Sequence, residues 1–110
     1  MKTQTQTQTD IVSQADLNES QAARLAELFR AMSDASRVLI IAALLDGPMN
    51  VQSLAQVAGI SESGASHHLR SLRQMRVVGS RRQGQRVYYS IHDEHIADLF
   101  RRGVEHILHG

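Results

Sequence analysis

Between Val51 and Met75 the chain carries two short helical patterns, "VQSLAQVAG" and "SESGASHHLRSLRQM", the first closed by Gly59 and the second opened by Ser61. A glycine just past a helix supplies the left-handed residue that ends it. A serine followed by an acidic residue, here Glu62, caps the next. Two helices joined by so tight a turn form a helix-turn-helix unit. In the second helix Ala65, Leu69, Leu72 and Arg76 fall along one side, while Ser63, Ser66, His67, Arg70, Arg73 and Gln74 fall on the other. An outer side made of donors suits a helix lying in a DNA major groove, where Ser, His and Arg reach base edges and phosphates.

The segment that follows, "VVGSRRQGQRVYYSI", has β-branched and aromatic residues on both arms and Gln83-Gly84 between them. This predicts a β-hairpin with its tip at Gln83-Gly84. Arg81, Arg82 and Arg86 flank that tip. Such a hairpin beside a helix-turn-helix reads as the wing of a winged-helix protein, reaching toward phosphates or the adjacent minor groove.

Upstream, Ala22, Leu25, Leu28, Phe29 and Met32 recur at helical spacing, with Asn18 or Ser20 available as cap. Asp34 then opens "DASRVLIIAALLDGP", apolar almost all round and broken by Gly47-Pro48, which predicts a buried helix at the hub of the core. Before these helices runs "TQTQTQT", a polar repeat with nothing to bury. Residues 1–15 therefore read as a disordered tail and residues 16–110 as one domain for DNA binding and dimerisation.

With two Phe, two Tyr and no Trp, the core of this mainly α fold must be built from aliphatic side chains. With no cysteine, disulfides and thiolate metal sites are excluded, so any metal must be held by His and carboxylate. The longest apolar run, Val38 to Leu45, is far shorter than the roughly 20 residues of a membrane span, and the N-terminus lacks a signal-peptide pattern. A cytoplasmic protein with no membrane partner is expected. The formal net charge of +1 conceals segregation: from Glu62 to Arg86 there are six arginines (Arg70, Arg73, Arg76, Arg81, Arg82, Arg86) against one acid. A local arginine block is the footprint of a phosphate-binding surface.

Four of the six histidines, His92, His95, His106 and His109, lie in the last nineteen residues. Asp93 caps a final helix whose apolar stripe (Ile96, Leu99, Phe100, Val104, Ile107) is wider than one small domain needs to bury, which points to a partner chain. At about 100° per residue, His106 lies some 20° round from His95 and His109 roughly 40° to the other side, all along one flank of that stripe. Yet the rise along the helix separates His95 from His106 by roughly 16 Å, too far for two ligands of one ion. Two antiparallel copies across a two-fold axis would bring Asp93 and His95 of one chain to His106 and His109 of the other. Three imidazoles and one carboxylate suit tetrahedral zinc, with cobalt or nickel as competitors. His92 lies off the flank. The competing reading is a solvated helix end enriched in imidazole by the macrodipole. The HExxH pattern of zinc proteases is absent, and a closed four-ligand set leaves no open position for substrate water, so neither an enzyme nor a small organic substrate is expected.

The segments "LFRAMSDASRVLIIAALL", "SLAQVAGISESGASHHLRSLRQMRVV", "RRQGQRVYYSI", "DEH" and "HILH" resemble the ArsR/SmtB winged-helix metal-sensing repressors over most of the chain, from about Leu25 to Gly110. The resemblance implies a homodimer, joined through its N- and C-terminal helices, that grips a palindromic double-stranded operator when metal-free and loosens when metal binds. It also implies a zinc site on Asp93, His95, His106 and His109, and a bond from the ligand at His106 to the backbone near Arg76. Where members with a second site carry cysteine, this chain has "MNVQSLA" with Asn50, so sensing through thiolates is not expected. The alternatives are a nickel or cobalt sensor using the same ligands and a DNA-binding regulator that ignores metal.

Overall fold

The computed structural model describes residues 16–110; the tail proposed for residues 1–15 lies outside the described residues. Five helices and a small sheet follow in the order α1 (Glu19–Ala31), α2 (Ala35–Leu44), β1 (Met49–Asn50), α3 (Val51–Ala58), α4 (Glu62–Gln74), β2 (Val78–Gln83), β3 (Arg86–Ile91) and α5 (Glu94–His109). Side-chain caps start the helices. Asn18 accepts from the Gln21 amide in a full capping box, Asp34 from Arg37, Ser61 from Gly64 and Asp93 from Ile96. Asn50, the residue that stands in "MNVQSLA", caps α3 by accepting from the Ser53 amide at 2.9 Å. Gly59 ends α3 in the left-handed conformation at φ 68°, which sets the turn into α4.

The core is aliphatic. Ile40, Ile41, Leu54, Leu69, Leu72, Val77 and Val78 are fully enclosed, with Leu44 and Ile96 beside them. Burying side chains of this size contributes roughly 1.5–3 kcal/mol each, which is what holds α2, α3, α4 and β2 as one unit. Helix α2 departs from the expected all-round burial: Ile40, Ile41 and Leu44 are enclosed but Val38 and Leu39 are exposed. Among the described residues, its outer side is only partly covered.

The sheet runs in the antiparallel order β1-β3-β2. Strand β1, two residues long and unanticipated from the sequence, pairs Met49 with Tyr89 and Asn50 with Tyr88, tying the start of α3 to the wing. The hairpin pairs Gln83 with Arg86, so its tip is Gly84-Gln85, one residue later than expected. Gly84 has φ 64°, and a positive φ at the first of two loop residues matches the twist that tight hairpins need.

Candidate nucleic-acid interface and metal centre

Helix α4 presents the two faces read from its pattern. Ala65, Leu69 and Leu72 are fully buried, while Ser63, His67, Arg70, Arg73 and Gln74 are exposed and Ser66 half-buried. Arg76 is the exception on the inner side. It lies past the helix end with φ 60° and an exposed side chain, because the α4 terminus closes with Val77 N–H bonding the Leu72 carbonyl and Arg76 N–H bonding that of Arg73.

The wing arginines do not form one cluster. Directly opposed residues share a face of an antiparallel pair, and the register opposes Arg81 to Tyr88, Gln83 to Arg86 and Arg82 to Val87. Arg81 and Arg86 therefore occupy one face. Arg82 shares the other with Val78, Tyr89 and Ile91, the face turned to the core. Between that face and α4 runs a groove of about 550 Å³, lined by Ser66, Leu69, Arg70, Arg73, Gln74 and Tyr89. Tyr89 was not among the residues singled out from the sequence. Its place in the groove follows from strand register, which a single chain's pattern does not reveal.

Two polar groups mark the terminal helix. At its start the Asp93 carboxylate divides its work: Oδ1 accepts from the Ile96 amide at 3.0 Å, and Oδ2 accepts from His92 Nδ1 at 3.2 Å. His95 Nδ1 stands 3.6 Å from Oδ1 with its side chain almost fully exposed. The Ile96 amide first, then the His92 hydrogen bond and lesser charge effects of the neighbouring histidines, hold the Asp93 carboxyl below its ordinary pKa. It is ionised near neutral pH, the form a metal requires. His92, set aside in the sequence reading, is the ring that contacts Asp93 most closely. At the far end, His106 and His109 are exposed in the last turn. Among the described residues no three His, Asp or Glu side chains gather into one cage. A single chain brings together Asp93 with His95 but leaves His106 and His109 apart from them.

Beside these groups lies an apolar groove of about 470 Å³, with Phe29, Met32 and Val38 on one side and Leu99, Phe100, Gly103, Val104, Ile107 and Leu108 on the other. Within α5 only Ile96 and Ala97 are buried, while Ile107 is 81% and Leu108 67% exposed. The stripe expected from the sequence is thus enclosed at Ile96, half-buried at Phe100 and Val104 and open at Leu99 and Ile107, and it ends in the turn that carries His106 and His109. No helix among the described residues is long and apolar enough to cross a membrane.

Residues 34–80 match the family described as bacterial regulatory protein, arsR family. The chain is 42% identical to the transcriptional repressor SmtB homolog of Synechocystis over 79% of its own length and 66% of that protein. It is 36% identical to the HTH-type transcriptional regulator NmtR of Mycobacterium tuberculosis over 86% of its own length and 79% of that protein. In three dimensions it superposes on a homodimeric winged helix-turn-helix DNA-binding domain from Mycobacterium bovis with TM-score 0.73 and 30% identity, covering 87% of this chain and 95% of that one. These relatives and the shared winged helix-turn-helix fold define a DNA-binding transcriptional regulator rather than an enzyme. The chain belongs to the ArsR/SmtB family of metal-sensing transcriptional repressors.

Proposed function

We propose that the chain works as a zinc-responsive repressor: a metal-free homodimer holds a palindromic operator through α4 and the wing of each subunit, and zinc between the two α5 helices weakens that hold. The observation that carries this reading is the division of α5 into two exposed donor groups, Asp93 with His95 at one end and His106 with His109 at the other. At the rise of a helix these ends stand roughly 16 Å apart, so a shared ion needs a second copy. The open apolar groove along α5 supports that second copy, because two antiparallel helices can cover each other's stripes. Three imidazoles and a carboxylate fit zinc without thiolates, and the chain has no cysteine to offer.

When bound, the ion would supply a cross-link between subunits. The chain's own residues do the rest. Asp93 keeps Oδ1 on the Ile96 amide, which fixes the carboxylate, and Oδ2 would bind an ion in place of its present bond from His92. By the family resemblance, His106 would pass the change on through a bond to the backbone near Arg76, at the end of α4. Metal loosens DNA only if the cross-linked arrangement fits the operator less well, and such couplings run to about 1–3 kcal/mol, or roughly 5- to 150-fold.

The test is a fluorescence-anisotropy titration of a duplex that the protein enriches from a random-sequence pool, with and without zinc, at two salt concentrations. Zinc is expected to weaken binding within that range, and salt to weaken it steeply through lost phosphate contacts. Asp93→Ser keeps a capping oxygen and removes the carboxylate, so it should bind DNA as the metal-free wild type does and ignore zinc. His106→Gln should keep part of the metal affinity and lose the response. A wild type indifferent to zinc would make the protein a regulator without metal control, and competition by nickel or cobalt would identify those ions as the signal instead.

A further inference from the structure

Helix α4 is held against α3 and β2 by apolar contact along its buried side, Ala65, Leu69 and Leu72. One polar joint adds direction. Arg37, in the first turn of α2, donates from Nε to His68 Nδ1 on α4 at 2.9 Å and from a terminal guanidinium nitrogen to the Ala31 carbonyl at the end of α1 at 3.0 Å. Asp34 Oδ2 accepts the Arg37 amide at 3.1 Å and lies 3.8 Å from His68 Nε2. Both Arg37 bonds are partly buried. Among the described residues, the bond from Arg37 to His68 is the one side-chain hydrogen bond tying α4 to another helix. A guanidinium can only donate, so His68 Nδ1 must be the lone-pair nitrogen and the ring proton must sit on Nε2, facing Asp34.

His68 follows His67 of the outer face directly, and it divides the polar outer side from the buried side of Ala65, Leu69 and Leu72. A bond at this point acts as a stop on helix rotation. We propose that His68, through Arg37, is a positioning residue for DNA reading: it sets the rotation of α4 relative to the α1–α2 corner and so the register of Ser63, His67 and Arg70 on the bases. Nonspecific attraction to phosphates needs no such register, because it depends on charge near the backbone rather than on aimed side chains. The inference rests on α4 being the DNA-reading helix and is independent of the metal reading.

The experiment measures binding, in EDTA, to the enriched duplex and to a shuffled duplex of equal composition, each of about 30 base pairs, enough for two half-sites a turn apart. His68→Leu fills the space without an acceptor. Arg37→Lys keeps the charge but cannot serve His68 and Ala31 together. His68→Asn restores an acceptor close to the Nδ1 position. The first two should bind the enriched duplex about tenfold more weakly, the worth of one charge-assisted bond, with shuffled-duplex affinity unchanged. His68→Asn should recover to within about threefold of wild type, and His68→Leu with Arg37→Lys should be no weaker than the worse single variant.

Full selectivity in His68→Leu, no recovery in His68→Asn, or equal loss on both duplexes with a fallen urea midpoint would each overturn the positioning role. If His68→Leu does not fold, Arg37→Lys and His68→Asn decide the matter. Failure of the wild type to prefer any duplex, with Arg73→Ala without effect, would instead remove the DNA-reading assignment of α4 and the joint with it.

Discussion

The winged-helix module and the terminal helix meet water on very different terms. From Ile40 to Val78 the module encloses Ile40, Ile41, Leu54, Leu69, Leu72, Val77 and Val78 completely and turns its polar residues outward along α4 and the wing. Helix α5 is strongly two-sided too, yet it buries only Ile96 and Ala97 and leaves Ile107 and Leu108 in solvent. The module is complete within one chain, and the terminal helix is half of something. Under the proposed function this division has a use, since a reading head closed within one chain could be repositioned by an interface whose packing exists only between subunits.

The largest expected effect tests the closed half. Leu69→Ala removes a fully buried side chain from α4, and the cavity left in a core of rigid neighbours should lower unfolding free energy by about 3 kcal/mol in urea titration. A loss below about 1 kcal/mol would mean that the module's packing is looser than its burial indicates. The open half predicts a different response. Ile107→Asp places a charge on the exposed stripe, so it should leave the fold intact while abolishing the dimer in sedimentation and the rise of the urea midpoint with protein concentration. A variant that stays dimeric would put the interface elsewhere.

Charge sharpens the comparison further. Arg73→Ala, in the groove between α4 and the wing, should weaken binding to all duplexes similarly and reduce the slope of affinity against salt by about one counterion. Because the register places Arg81 and Arg86 on one face of the wing and Arg82 on the other, Arg82→Ala should differ from Arg81→Ala in sequence preference. Indistinguishable profiles would mean that the wing contacts DNA only as a diffuse positive charge.

Much of this organisation was legible in the sequence because it is written in local pattern. The Gly59 turn, the caps at Asn18, Asp34, Ser61 and Asp93, and the two faces of α4 all follow from residues within a few positions of each other. What escaped depends on partners far along the chain. Strand β1 is only two residues long and exists because Met49 and Asn50 meet Tyr89 and Tyr88. The place of Tyr89 in the groove and the split of the wing arginines are consequences of register, and the hairpin tip shifted by one residue for the same reason. The His68 joint spans 31 residues, so nothing near His68 announces Arg37. The shared cage proposed for α5 is a further step removed, because half of its donors would belong to another molecule.

The smallest effect concerns the end of α4. Arg76 holds φ 60° at the end of α4, a conformation that costs a residue with a Cβ roughly 1 kcal/mol and that glycine adopts freely. Arg76→Gly removes that cost but gains chain freedom in the unfolded state, so the net change should be a rise of only about 0.5 kcal/mol in unfolding free energy. Arg76→Val, branched at Cβ, should move the urea midpoint the other way. If the guanidinium contributes only charge, Arg76→Gly and Arg76→Ala will weaken DNA binding equally. If the left-handed backbone is also what offers His106 its acceptor, both variants will keep the zinc response and Arg76→Pro, which cannot take a positive φ, will lose it.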